Sequence, residues 1–155
     1  MGPSDSPENP TYEDVCTGRT GHVEVYDLDF TGGLPAYEDL CKFFFQMHDP
    51  TTKNRQGNDA GTQYASVIYC YSEEQFGVAN KVIKELQGFI DQDVVTKYAE
   101  KRVNSDVRMA TRFFEAKAEH QDYLAKHPKG YCNHRIRFQP WPAGSSIQTT
   151  PTDQA

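Results

Sequence analysis

Residues 64–90, YASVIYCYSEEQFGVANKVIKELQGFI, decide the fold class. Tyr64 to Tyr71 reads as a strand, with Val67, Ile68, Tyr69 and Cys70 at its centre. Ser72 then caps a helix, and Gln75, three residues on, completes a capping box. Phe76, Ala79, Ile83, Leu86 and Ile90 recur at helical spacing and give that helix an apolar stripe. The periodicity switches here from two residues to three and four, so strand and helix follow each other within one unit.

Working outward toward the N-terminus, residues 49–63 (DPTTKNRQGNDAGTQ) form a polar loop with two glycines. Polar loops this long inside a domain are usually functional. Before it, Pro35 to His48 reads as a helix, with Tyr37, Leu40, Cys41, Phe44 and Met47 on one face. Thr31-Gly32-Gly33 separates that helix from His22 to Phe30, which alternates as a strand. Glu24, Tyr26, Leu28 and Phe30 share one side of it and are expected to meet the core. Thr11 to Cys16 reads as a short helix, capped by Thr11 with Asp14 three residues on and ended by Gly18. Toward the C-terminus, Val94 to Tyr98 reads as a strand and Ala116 to Lys126 as a short helix; residues 99–112 show no clear period. The expected fold is α+β, a two-layer α/β arrangement. Residues 1–10 are expected to be a polar lead-in, 11–138 the domain, and 139–155 a disordered tail.

The chain has 155 residues and a formal net charge of −6, which suits one domain and offers no clustered basic face for nucleic acid. No apolar run has the length of a membrane span, and MGPSDSPENP has no secretion-signal pattern. The expected compartment is the cytosol. The four cysteines, Cys16, Cys41, Cys70 and Cys132, form no CxxC motif, so a reduced thiol is the default for each, and no metal is expected.

Three features can carry chemistry. Glu24, on a face that otherwise holds Tyr26, Leu28 and Phe30, has two readings. Desolvated, its carboxyl would gain a raised pKa and serve as a proton donor; turned to solvent near Gly21, it would be an ordinary strand-end acid. The loop around Asn54 to Tyr64 gathers Arg55, Gln56, Asn58, Asp59, Gln63 and Tyr64, as a polar site or as a loop satisfying its own backbone. Cys132, in GYCNHR, lies outside both helix and strand, either an exchangeable thiol or a free surface cysteine.

Three stretches taken together resemble one family: NPTYEDVCTGRTGHVEV at 9–25, HDPTTKNRQGNDAGTQYASVIY at 48–69 and AEHQDYLAKHPKGYC at 118–132. They are similar to methionine sulfoxide reductase A, in the family's order, over roughly residues 8–135. The resemblance implies a ferredoxin-like α+β fold and reduction of the S epimer of methionine sulfoxide, free or in proteins. It implies Glu24 as proton donor, Tyr12 and Tyr64 as hydrogen-bond donors to the sulfoxide oxygen, Asp59 as a pocket-shaping residue and Cys132 as the resolving cysteine. It gives Cys16 no catalytic role. No cofactor is implied beyond thioredoxin or a dithiol as reductant. The family's nucleophile belongs to a GCFW motif, and these residues contain none. The expectation is therefore a chain shortened at its front, lacking the family's first strand and helix and its attacking thiol. Two other readings stand beside it: a scaffold reused for acid–base isomerisation or cyclisation, and a non-catalytic binder of oxidised methionine.

Overall fold

A computed structural model describes residues 1–3 and 10–143. Its centre is a strand–helix–strand unit. β3 (Val67–Cys70) leads into α3 (Glu73–Asp91), and the chain returns to β4 (Asp106–Met109) parallel to β3. Val67 faces Asp106 and Cys70 faces Met109 in register. Asp106 N donates to Ser66 O at 3.0 Å and Ala110 N to Cys70 O at 2.7 Å, so the ladder extends past both ends. A helical crossover is what parallel neighbours require.

α3 starts where the sequence places it. Ser72 Oγ accepts from Gln75 N, but the Gln75 side chain accepts from Tyr71 N at 2.8 Å, not from the cap residue itself. α2 (Gly33–Met47) begins after Gly32, whose φ of 101° turns the chain, and tolerates Pro35 in its first turn. It stops at His48, which is extended; Pro50 then keeps the chain from resuming a helix. α2 packs on α3, and the pair covers one face of β3–β4. Phe45, Val82, Leu86 and Ile90 are fully buried there, with Cys41, Cys70 and Phe89 beside them. Each large apolar side chain so buried contributes about 2–3 kcal/mol. The result is the α+β arrangement expected.

Four local expectations are corrected. Residues 22–30 form no regular strand; Val23 is bonded both ways to Met1 (2.7 and 3.1 Å), and Glu24 N donates to Gln63 O. The face expected to meet the core does not: Glu24, Leu28 and Phe30 are exposed and Tyr26 is 88% exposed, while His22 and Val23 are buried at the start of the segment. An alternating pattern makes a strand only where a neighbour accepts its ladder. Residues 94–98 are irregular, and the second strand is Asp106–Met109, whose polar residues hide it from periodicity. The helix expected over 116–126 is only α4 (Tyr123–Lys126). Tyr64 belongs to a 3-10 turn (Thr62–Tyr64), not to the strand.

Trp141 and Phe138 pack on the core, Trp141 against Phe89 at 5.8 Å with its Nε1 donating to Glu85, so part of the expected tail is anchored. Residues 144–155 lie outside the described residues. Among the described residues no helix is long and apolar enough to cross a membrane.

Candidate active site

The polar loop of residues 49–63 folds into a small hairpin, β1 (Arg55–Gln56) paired antiparallel with β2 (Asp59–Ala60). Gly57 turns it at φ 59°, and a Cβ there would stand 2.6 Å from the Asn133 amide. Asn133 Nδ2 donates to Gln56 O at 2.8 Å and to Asp59 Oδ2 at 3.1 Å, tying the C-terminal segment onto the hairpin. The hairpin leads directly into the 3-10 turn that carries Gln63 and Tyr64.

Gln63 is the hinge of the site. It is buried; its backbone carbonyl accepts from Glu24 N at 2.9 Å, and its side-chain Nε2 donates to Cys16 O at 3.3 Å. Thr62 Oγ1 donates to Gly18 O at 2.8 Å beside it. One turn therefore holds both the segment bearing Glu24 and the end of α1 (Tyr12–Cys16). α1 carries the capping box read from sequence: the Thr11 hydroxyl accepts from Asp14 N, and the Asp14 carboxylate accepts from Thr11 N. Tyr12 and Cys16 lie four residues apart on it, hence on one face.

These side chains sense one another. The Glu24 carboxyl is raised above the ordinary carboxylate range, first by burial; His120 opposes the shift and Asp59 adds to it. This holds although the residue as a whole is exposed. The Tyr12 phenol is pushed up to about 12, first by the Cys16 thiol at its hydroxyl, with burial, Glu24 and Tyr64 adding to the shift. Tyr64 is raised by burial first, then by Glu24, Asp59 and Cys16. Glu24 thus lies within electrostatic reach of Tyr12, Tyr64 and Asp59. Phenols, and a carboxyl whose ionisation is disfavoured, are groups able to donate hydrogen bonds.

Cys132 lies apart from that set. It is exposed and reaches His134 Nδ1 at 3.7 Å, one residue from the Asn133 clamp. Cys41 and Cys70 are buried, as expected of structural thiols, and burial pushes Cys41 up to about 11. Sequence reasoning missed Cys16, which lies beside the Tyr12 hydroxyl; its spacing from Tyr12 was the available signal. It also missed His120, stacked on Tyr12 at 4.8 Å, and Lys117, 4.9 Å over the same ring and paired to Glu13 at 2.7 Å. Among the described residues no group of His, Cys, Asp or Glu is arranged to hold a metal ion.

A family model described as peptide methionine sulfoxide reductase matches residues 4–146. The peptide methionine sulfoxide reductase MsrA of Polynucleobacter asymbioticus is 46% identical over 125 residues, which is 80% of this chain and 62% of that protein. MsrA of Saccharolobus solfataricus is 44% identical over 125 residues, covering 80% of this chain and 66% of its own length. The chain thus spans a little under two thirds of these relatives. The crystal structure of Mxr1 from Saccharomyces cerevisiae in reduced form superposes with a TM-score of 0.76 at 30% identity, covering 89% of this chain and 74% of that one. With the match running from before Tyr12 to beyond Asn133, and so across Glu24, Asp59 and Tyr64, the chain belongs to the peptide methionine sulfoxide reductase family.

Proposed function

We propose that this chain supplies the acid and hydroxyl groups of a peptide-methionine (S)-S-oxide reductase, which repairs oxidised methionine. In that reaction a cysteine thiolate attacks the sulfoxide sulfur and takes over its oxygen as a sulfenic acid, while the substrate leaves as a thioether. Glu24, whose pKa is raised first by burial, gives the oxygen its proton. Tyr12 and Tyr64 donate hydrogen bonds to the same oxygen, and Asp59 fixes the pocket wall through Asn133. Cys132, exposed beside that clamp, condenses with the sulfenic acid to a disulfide and releases water; thioredoxin or a dithiol then reduces the disulfide. The GCFW nucleophile of the family is not among these residues. The reading places the protein in the cytosol, which suits four unpaired cysteines.

The observation that carries the reading is that Glu24 raises both phenols while Asp59 raises Glu24, with Gln63 bonding the Glu24 backbone beside Tyr64. NMR titration of the chain with three otherwise identical peptides, S-sulfoxide, R-sulfoxide and thioether, tests it. The S epimer should bind best and shift Tyr12, Tyr64 and Glu24. Binding should tighten as pH falls through the raised Glu24 pKa. The double variant Tyr12→Phe/Tyr64→Phe should weaken binding by about tenfold, two hydrogen bonds' worth. Equal binding of the three peptides, or none, overturns the reading.

A further inference from the structure

The hairpin loop has a second half that this chemistry does not use. Residues 51–55 face residues 100–104 across a depression of about 570 Å³ lined by Thr51, Thr52, Lys53, Arg55, Glu100, Lys101, Arg102 and Asn104. Four of those eight side chains are cationic and one is acidic, in a chain whose net charge is −6. Lys101 is paired with Asp93, and Arg55 Nη1 donates to Gly57 O at 3.1 Å. Lys53 and Arg102 have no acidic partner among the described residues. Both are exposed.

The depression is built rather than incidental. Its two walls are stitched together by Glu100 N donating to Thr51 Oγ1 at 3.0 Å and Asn104 N to Pro50 O at 2.7 Å; the Asn104 amide also donates to Thr51 O. Beneath them, buried Asp49 accepts from Thr51 N at 3.0 Å, from the Thr51 hydroxyl at 2.6 Å and from Ala99 N at 3.0 Å. The floor is therefore fixed, and the cations stand on it. The depression also adjoins the candidate active site. Arg55 is opposed to Ala60 and Gln56 to Asp59, so the cationic wall begins one residue from the pair that holds Asp59.

We propose that this basic depression is a subsite for acidic stretches of polypeptide flanking the oxidised methionine. The proposal rests on the reductase reading for the neighbouring site. A peptide in extended form advances about 3.4 Å per residue, so carboxylates a few positions from a sulfoxide at Glu24 and Tyr64 reach past Asp59 toward Arg55. The depression's size and its cations on two walls suit several spaced carboxylates, where a lone phosphate would engage one wall. Against a net negative protein, this patch also steers acidic segments to the correct edge.

Fluorescence anisotropy with the 155-residue chain tests the proposal with S-sulfoxide peptides whose flanks carry four Glu, four Lys or four Gln. The Glu peptide should bind at least tenfold tighter than the Lys peptide at low salt, and the gap should close in high salt. Lys53→Glu/Arg102→Glu should abolish the gap while leaving the Gln-flanked peptide unchanged. Charge-indifferent binding, or a preference that survives the double variant, overturns the proposal. So does displacement of the Glu peptide by micromolar inorganic phosphate, which would mark the depression as a phosphate site. A thioether peptide with Glu flanks separates the two readings. If it binds as well as the sulfoxide and still depends on Lys53 and Arg102, the depression stands and the reductase reading fails.

Discussion

The helices α2 and α3 with β3 and β4 contrast with the irregular chain that runs from Thr17 to Thr31 and from Ala110 to Arg137. The first region is regular and buried, and it carries no part of the proposed chemistry. The second has almost no regular structure, yet it holds Glu24, His120 and Cys132. Arg135 N donates to Met47 O at 3.0 Å and Arg137 N to Gln46 O at 2.8 Å, tying it to the first region, and Glu24 N donates to Gln63 O of the 3-10 turn at 2.9 Å. Stability and chemistry are thus written on different chain, joined at a few backbone bonds, with the 3-10 turn of Gln63 and Tyr64 as the principal joint.

The largest effect should come from the core. Phe45 is fully buried between the helices, and Phe45→Ala should cost about 3–5 kcal/mol in urea denaturation. A cost near zero would move the centre of stability away from the helix pair.

The next effect is one of pH. His48 is buried; its Nδ1 lies 2.6 Å from Phe44 O, an acceptor only, so this nitrogen carries the proton. Its Nε2 then accepts from the Ser66 hydroxyl at 2.7 Å, and Ser66 in turn accepts from Ser105 at 2.6 Å. Burial lowers its pKa from 6.5 to about 4. The unfolded chain takes the proton more readily, so this stability is whole above about pH 6.5 and is lost as pH falls toward 4. The loss totals about 3 kcal/mol. Denaturation across that window should show it, and His48→Gln should flatten the slope. An unchanged slope in the variant would assign the dependence to other groups.

The smallest effect on stability should be the most telling for the site. Gln63→Ala removes one side-chain hydrogen bond to Cys16 O, about 1 kcal/mol. It also releases α1 from the Glu24 segment, so affinity for the S-sulfoxide peptide should fall by more than that stability loss converts to. Equal losses would mean that the joint is merely structural.

Within the regular half of the fold, α2, β3 and α3 were legible because their signals are local. Ser72 with Gln75, Gly32-Gly33 and Pro50 punctuate helices in any context. The strand expected at 22–30 failed because alternation is necessary but not sufficient, and Tyr26 and Leu28 stand in solvent where no neighbouring strand accepts them. β4 was missed for the opposite reason: Asp106 and Arg108 pair with each other along a strand whose partner is set from afar. At the site, Glu24, Tyr12, Asp59 and Tyr64 were expected through family motifs alone. The part of Gln63 was not, because it consists of contacts to residues 47 and 39 positions away.

The Asn133 clamp has a kinetic corollary. Cys132 is one residue from an anchor on Asp59, and one Cα–Cα step is 3.8 Å. A thiol on so short a tether stays within about 10 Å of that carboxylate, which corresponds to a local concentration on the order of 0.1–1 M. Soluble thiols reach the same spot at millimolar levels. In the proposed disulfide step, the clamp gives the tethered sulfur roughly a hundredfold to thousandfold statistical lead over a thiol from solution, before its intrinsic reactivity is counted.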